Sequence, residues 1–297
     1  MVFIISTKKK IAILGLGNIS YELCASLISR GFIVSGTTNN FDRKHKLQEL
    51  GVKVFSNNQI LKCISNSTKI IITAPPGVLG CPIIRDYFRE IVNSDVKWIG
   101  YLSSTSVYGN YNGQKVNENS DLKLVNPIAQ SRYRGEQDLL DFGKKYSVPI
   151  EIFRVSGIYG QHRNTIKQML SKNINPIFKE NHFFNRIHEK DIAKVLSKAA
   201  YSKINSGIIN LSDNLPASQL EVINYAAKIM KVSLPKYKNY KDISNDIPDT
   251  MKRFWENNRR VDNSLLIERY GELMFPSYKE GLDYIYNDYL FTSLNKE

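Results

Sequence analysis

Cysteine is scarce in this chain. Cys24, Cys63 and Cys81 are odd in number, far apart and without a Cys-x-x-Cys spacing. That excludes a disulfide framework or a zinc ribbon and leaves a reducing cytoplasm as the expected setting. Long apolar runs are also missing. No stretch reaches the ~18 residues that a membrane-spanning helix needs, so none is expected. The apolar start precedes Lys8, Lys9 and Lys10, the reverse of a secretory signal. Val2–Ile5 is expected instead as a short tail beside the first strand. Acidic residues are in deficit, 28 against 41 Lys and Arg, for a net charge of +13. The cations are scattered rather than blocked, so the excess reads as compositional drift plus a phosphate-bearing cofactor. Of the marks of a nucleic-acid binder only the charge is present, so nucleic acid is not the expected partner. His45 and His182 lack ligand-spaced partners, and no metal site is expected.

What is present is an alternation of short apolar runs with amphipathic stretches. Ile11–Leu14, Phe32–Ser35, Val52–Phe55, Ile70–Thr73, Trp98–Leu102 and Ile150–Val155 read as strands buried on both faces. Helices are predicted after the first strand, with Gly31 as the stop, and over Lys44–Leu50 and Ser131–Lys145. The pattern predicts an α/β protein: a Rossmann-type doubly wound parallel sheet with right-handed crossovers and a small C-terminal substrate lobe. Further on, Asp191–Ala200 and Ser218–Met230 read as helices, Ile208–Leu211 as another sheet strand, and Lys236–Asn245 as a polar loop. The expected division is a dinucleotide-binding domain over 8–155, to which 185–213 returns, and a smaller lobe from 156–184 and 214–297.

The first strand runs into Gly15-Leu16-Gly17-Asn18-Ile19-Ser20 and then a helix. A glycine turn in that setting approximates the dinucleotide fingerprint. Gly15 makes the tight turn, Gly17 lets the backbone approach a pyrophosphate, and Asn18 and Ile19 open the helix whose N–H groups face it. Ser20 replaces the third glycine. After the second strand the chain reads Thr37-Thr38-Asn39-Asn40 with no acid for ribose hydroxyls, followed by Arg43 and Lys44. That favours NADP slightly over NAD, though both cations could equally be a solvated helix start. Ala74 and Pro75, after the fourth strand, and Ser103 and Ser156, at later strand ends, complete the expected cofactor contacts.

Six further segments occur in order: Tyr101-Leu102-Ser103-Ser104-Thr105-Ser106-Val107-Tyr108-Gly109, Arg154 to Gly160, Arg186-Ile187-His188-Glu189-Lys190-Asp191-Ile192-Ala193, Asn210 to Asp213, Arg259 to Asn263, and Phe275 to Gly281. Together they resemble the extended short-chain dehydrogenase/reductase superfamily, the NAD-dependent epimerase/dehydratase family, and more closely its atypical YeeZ-like branch. The resemblance spans nearly the whole chain. It implies an NAD(P)-dependent oxidoreductase or epimerase acting on a small molecule such as a nucleotide sugar, with dimerisation through two helices of the Rossmann domain. It also implies that Ser104 orients the reacting oxygen, and that Tyr108 meets substrate. The family's dehydratases carry Asp-Glu just after that serine. Here Thr105-Ser106 stands there, which argues against that dehydration route.

The family's catalytic Tyr-x-x-x-Lys pair, which the resemblance places on the helix after the fifth strand, is missing from that region. Aligned on Glu136, Ile128 takes the Tyr position and Arg132 the Lys position; aligned on Tyr133, Gln137 takes the Lys position. Arg132 could keep the ribose contact and the positive field but cannot relay a proton near neutral pH. Tyr133 could offer a displaced phenol. Ser104, Arg132 and Tyr133 are therefore the catalytic candidates. Arg163, Arg186 and Arg260 could hold a substrate phosphate or carboxylate or be solvated cations. His188 is a substrate contact or a packed structural histidine. Two readings outside catalysis stay open. One is a non-catalytic NAD(P)-binding sensor, which the missing pair favours; the other is an RNA-associated protein, which only the charge suggests.

Overall fold

The computed structural model describes residues 9–202 and 206–294. Val2–Ile5 lies outside them. By contacts the chain forms two units. The first comprises residues up to Ser104 with Asn126–Arg154 and Ile192–Ile209; the second comprises Thr105–Val125, Val155–Asp191 and everything from Asn210. Residues 105–125, expected within the dinucleotide-binding domain, group with the second unit because their partners lie there. Lys115–Val116 pairs in parallel with Arg260–Val261, and Asn210 N donates to Glu118 Oε1 at 2.8 Å.

The first unit is built on a seven-stranded sheet. Its spatial order is Gly207–Leu211, Ile150–Val155, Ile99–Ser104, Lys69–Ile72, Lys10–Leu14, Ile33–Thr37, Lys53–Phe55. The predicted α/β class and parallel sheet are what is found. The chain winds outward from Lys10–Leu14 to one side through Ile33–Thr37 and Lys53–Phe55. It then returns to the other side through Lys69–Ile72 and Ile99–Ser104. The registers Leu14↔Thr37, Leu14↔Ile72 and Ile72↔Tyr101 align these carboxyl ends. The reversal of order therefore lies at Leu14 and Ile72, where doubly wound sheets bind ligands. Leu14, Ile70, Ile72, Ile99 and Ile152 pack with Leu139 and Phe142 of the helix Pro127–Tyr146 in one core. Strands with apolar residues on both faces need helices on both faces, which is why these segments lack the alternation of a half-exposed strand.

Local chemistry moves several boundaries. Asn40 caps the second helix, accepting from Arg43 N at 2.8 Å, so that helix is Phe41–Glu49 and starts ahead of the predicted Lys44. Asn126 caps the next long helix through Ala129 N with Pro127 at its first position, moving its start from Ser131 to Pro127. Helices at Pro82–Val92 and Tyr278–Leu294 were not predicted. Lys236–Asn245 is not a plain loop: it holds the strand Lys238–Asn239, paired with Ile177–Phe178, and the helical turn Tyr240–Ile243.

The second unit has its own core, in which Tyr159, Ile166, Val222, Ala226, Tyr278 and Leu282 pack together. Its helix Gln219–Met230 opens with a capping box between Ser218 and Glu221. The Asp191 carboxylate accepts from Met274 N at 2.6 Å and Phe275 N at 3.1 Å, so this acid of the Arg-Ile-His segment anchors backbone. Cys24, Cys63 and Cys81 are buried and free. No helix among the described residues is long and apolar enough to cross a membrane.

Candidate active site

The two glycines of the first turn differ in kind. Gly15 sits at φ +103°, and a Cβ there would meet Ala74 N at 2.7 Å and Ala74 Cα at 2.8 Å. Its N–H donates to Thr37 Oγ1 at 3.2 Å, and Thr73 Oγ1 donates to its carbonyl. The protein itself demands this glycine, to bring three strand ends together. Gly17 makes no such demand. Its φ is not left-handed, and a Cβ there would find only Gly15 O, at 3.7 Å. The helix Ser20–Ser29 that follows has Ile19 at its N-cap position and no side-chain cap. Open space over Gly17 beside an uncapped helix end is the cradle a pyrophosphate would fill, so these residues fit a dinucleotide.

Arg43 joins this rim. Its guanidinium donates to Leu16 O at 3.2 Å and Asn18 Oδ1 at 3.0 Å. It is thus held against the glycine turn rather than free on a helix surface. Thr37 and Thr38 are buried, and Thr38 Oγ1 accepts from Asn40 N at 3.2 Å. Asn39 Oδ1 accepts from Asn57 N at 3.0 Å. Ala74 and Pro75 follow the strand Lys69–Ile72, and Ala74 N donates to Leu14 O at 3.0 Å.

At the end of the strand Ile99–Ser104 the two serines part. Ser103 is buried and its Oγ donates to Glu136 Oε1. Glu136 pairs in turn with Arg154, Nη2 to Oε2 at 2.7 Å and Nε to Oε1 at 3.1 Å. Ser103, expected to touch cofactor, is thus bound into a buried triad. Ser104 is half-buried at the strand's last position. Arg132 Nη1 donates to Leu102 O at 3.0 Å, which holds its charge on the same strand. It lies beside the phenol of Tyr101, which burial pushes up in pKa while Arg132 works the other way. Tyr133 is half-buried on the same helix, and Ile128 is exposed in its first turn.

The remaining candidates lie in the second unit. Ser156 is buried, its N–H donating to Leu211 O at 2.9 Å. Tyr108 is fully buried and donates to Asn210 Oδ1 at 2.8 Å. Arg163 and Arg186 line one cavity with Asn164, Thr165, Gln168 and Tyr278. Arg186 donates to the carbonyls of Phe184 and Ala217, and Asp213 and Glu221 already offset its charge. Arg260 is exposed and lies over the Phe183 ring at 4.0 Å. His188 packs among the rings of Phe275, Tyr159 and Tyr284, its Nδ1 accepting from Lys190 N at 3.2 Å. Among the described residues no cluster of His, Cys, Asp and Glu is arranged to hold a metal ion.

Sequence reasoning passed over Glu136 with Arg154, and also Arg259, the neighbour of the residue it chose. Arg259 Nη1 donates to Gly109 O at 2.9 Å and Nη2 approaches Thr105 Oγ1 at 3.4 Å. No signal within the Arg259-Arg260 pair says which of the two turns inward.

These arrangements can be set beside known proteins. Residues 86–198 match the model of the NAD dependent epimerase/dehydratase family. The resemblance carried by the ordered motifs therefore holds. Protein YeeZ of Escherichia coli strain K12 is 26% identical over 254 residues, 79% of this chain and 88% of that one. A functionally unknown conserved protein from Silicibacter pomeroyi DSS superposes with TM-score 0.87 at 27% identity, covering 94% of this chain and 99% of that one. UDP-glucuronic acid 4-epimerase from Bacillus cereus, solved with NAD, shares the fold at TM-score 0.74 and 20% identity, covering 93% and 96%.

The buried titratable groups of the second unit give a pH prediction. Burial lowers both His182 and His188 to about 4. As pH falls from ~6.5 toward 4, the unfolded chain therefore takes up two protons that the folded chain refuses. Burial raises the Asp213 carboxyl to about 7, so over the same window the folded chain holds one proton that the unfolded chain has lost. Two less one leaves one proton. Stability is expected to fall with falling pH across this window by about 1.4 kcal/mol per unit. Asp213→Asn removes the opposing proton and should roughly double the slope. Urea unfolding at successive pH values, followed by the fluorescence of Trp255 beside His182, checks it. An unchanged slope in Asp213→Asn would contradict the assignment.

Proposed function

We propose that this protein is an NAD(P)-dependent oxidoreductase or epimerase of the epimerase/dehydratase type. Its substrate is a nucleotide sugar or a related carbonyl or alcohol, and its active site is non-standard, without a Tyr-x-x-x-Lys pair. The observation that carries the reading is the contrast at the glycine turn: Gly15 is required by the protein's own backbone, while a Cβ at Gly17 would meet nothing nearer than Gly15 O at 3.7 Å. Gly15, Gly17, Asn18 and Ile19 would hold the pyrophosphate, and Thr37, Thr38, Asn39 and Arg43 the adenosine ribose. The clamped position of Arg43 and the lack of an acid nearby favour a 2′-phosphate, hence NADP over NAD.

The bound nicotinamide supplies hydride exchange with a substrate carbon. Ser104 orients the reacting oxygen. Arg132, fixed on Leu102 O, supplies a permanent positive field and contacts the ribose but moves no proton. Tyr133 or a water carries the proton. A second reading, a non-catalytic NAD(P)-binding module, is favoured by Ile128 and Arg132 standing where the family has its catalytic pair.

Calorimetric titration with NAD, NADH, NADP and NADPH tests the cofactor. One pair is expected to bind. Gly17→Asp should abolish binding while the fold survives, because its Cβ meets nothing nearer than Gly15 O at 3.7 Å and its carboxylate repels phosphate. Arg43→Ala should weaken the 2′-phosphorylated forms by about tenfold and leave the others nearly unchanged. No binding of any dinucleotide would sink the oxidoreductase reading. Binding without turnover of any carbonyl substrate, in wild type as in Ser104→Ala, would leave the sensor.

A further inference from the structure

Arg259 is a cation set into the protein without an anion. Its guanidinium touches only neutral oxygens, Gly109 O at 2.9 Å and Thr105 Oγ1 at 3.4 Å, and its Nε is buried with no partner. No carboxylate among the described residues pairs with it. Burial pulls its pKa down to about 10, with Tyr108 the one neighbour acting in the opposite sense. The contrast with Arg154 is direct, since that buried guanidinium is met by Glu136. Arg259 as a whole is half-buried, and a charge drawn partly out of water with no counter-charge is costly.

The backbone around Arg259 is held firmly. Asn185 spans it, donating to Arg259 O at 2.9 Å and accepting from Val261 N at 2.7 Å. Just before it, Asn258 is fixed by Asn110, Phe183 and Asn181. Arg260, the first residue of the strand Arg260–Val261, lies over Phe183, while Arg259 just ahead of it reaches Thr105 and Gly109. A guanidinium has five N–H donors, and the two neutral contacts leave most of the fork uncommitted. That fork suits a planar carboxylate or a phosphate. Thr105, at one of its tips, is the residue after Ser104 in the chain.

We propose that Arg259 is the anion receptor of the substrate site and that the substrate carries a carboxylate or phosphate which the Arg259 guanidinium binds beside Thr105. This rests on the reading that Ser104 faces substrate, and it narrows that substrate to an anionic one. Arg260 has no part in it.

The test is calorimetric titration of the cofactor-free full chain with four probes. Inorganic phosphate is the bare anion, D-glucuronate carries a carboxylate alone, UDP-glucose carries phosphate alone, and D-glucose carries neither. The titrations are repeated in Arg259→Gln and Arg259→Lys, with the melting temperature of each. At least one anionic probe is expected to bind, and D-glucose not. Arg259→Gln should weaken the bound probe by about tenfold or more, and Arg259→Lys by less, since it keeps the charge and loses the fork. Arg259→Gln should melt close to wild type, because a half-buried, unpaired charge goes together with two hydrogen bonds to neutral oxygens. Whether D-glucuronate or UDP-glucose binds decides between carboxylate and phosphate.

Equal affinity in wild type and Arg259→Gln would overturn the proposal, as would failure of every anionic probe to bind wild type. A lower melting temperature with unchanged affinity would make Arg259 a brace between Gly109 and Thr105. If Arg259→Gln does not fold, Arg259→Lys decides: weakened anion binding supports the proposal and unchanged binding ends it. Because no dinucleotide is present, loss of the cofactor reading and loss of this one register in different titrations.

Discussion

Glu136→Ala is expected to destabilise the protein by about 3–5 kcal/mol, enough to bring an ordinary domain close to unfolding. Glu136 is 0% exposed and Arg154 2%. The carboxylate takes three bonds from that guanidinium, two of them shared by Nε, and one from Ser103 Oγ, which ties the helix Pro127–Tyr146 to the strands Ile99–Ser104 and Ile150–Val155. Removing it takes from a buried guanidinium the carboxylate that two of its nitrogens meet. The cost lies in the stranded partner more than in the lost attraction. Glu136→Met with Arg154→Leu should therefore recover most of the loss, because two apolar side chains leave no buried charge behind. Guanidinium denaturation of both variants decides the matter. If the double variant is as unstable as the single one, the pair is not the source.

Gly15→Ala should cost about 2–5 kcal/mol, from a left-handed backbone at φ +103° and a methyl driven into the Ala74 backbone at 2.7–2.8 Å. Both contributions act without any ligand. Gly17→Ala, two residues on, should leave stability within about 0.5 kcal/mol, since its methyl meets nothing nearer than Gly15 O at 3.7 Å. Its effect should appear only in dinucleotide affinity. Thermal melts of the two variants without ligand, followed by cofactor titration of Gly17→Ala, separate the roles. If Gly17→Ala is as unstable as Gly15→Ala, the space over Gly17 is not free and the cradle argument fails.

The parts legible from the chain are those written in short windows. Runs such as Ile11–Leu14 and Ile70–Thr73 carry no alternation, which is the mark of strands covered on both faces, and the sheet contains them within a residue or two. The glycine turn declares itself by lying between such a run and a helical pattern. The family resemblance was equally readable, because six segments occur in order, and the family model matches residues 86–198. Where the windows misled, a single side chain moved a boundary: Asn40 starts a helix at Phe41, and Asn126 with Pro127 starts one at Pro127.

The sequence by itself determined the fold class, the parallel sheet and the glycine turn, because propensity, periodicity and turn chemistry act over a few residues. Only the tertiary structure decided that Ser103 serves Glu136, that His188 is packed among rings, that Arg43 is clamped to the turn, and that Arg259 rather than Arg260 faces inward. Each of these depends on groups brought together from distant parts of the chain, as Glu136 and Arg154 are by the order of strands, or Arg259 and Thr105 by a strand pair 145 residues apart between Lys115 and Arg260. Two adjacent arginines carry no mark of their directions, and the partners waiting on each side, Gly109 and Thr105 or the Phe183 ring, set which way each one turns.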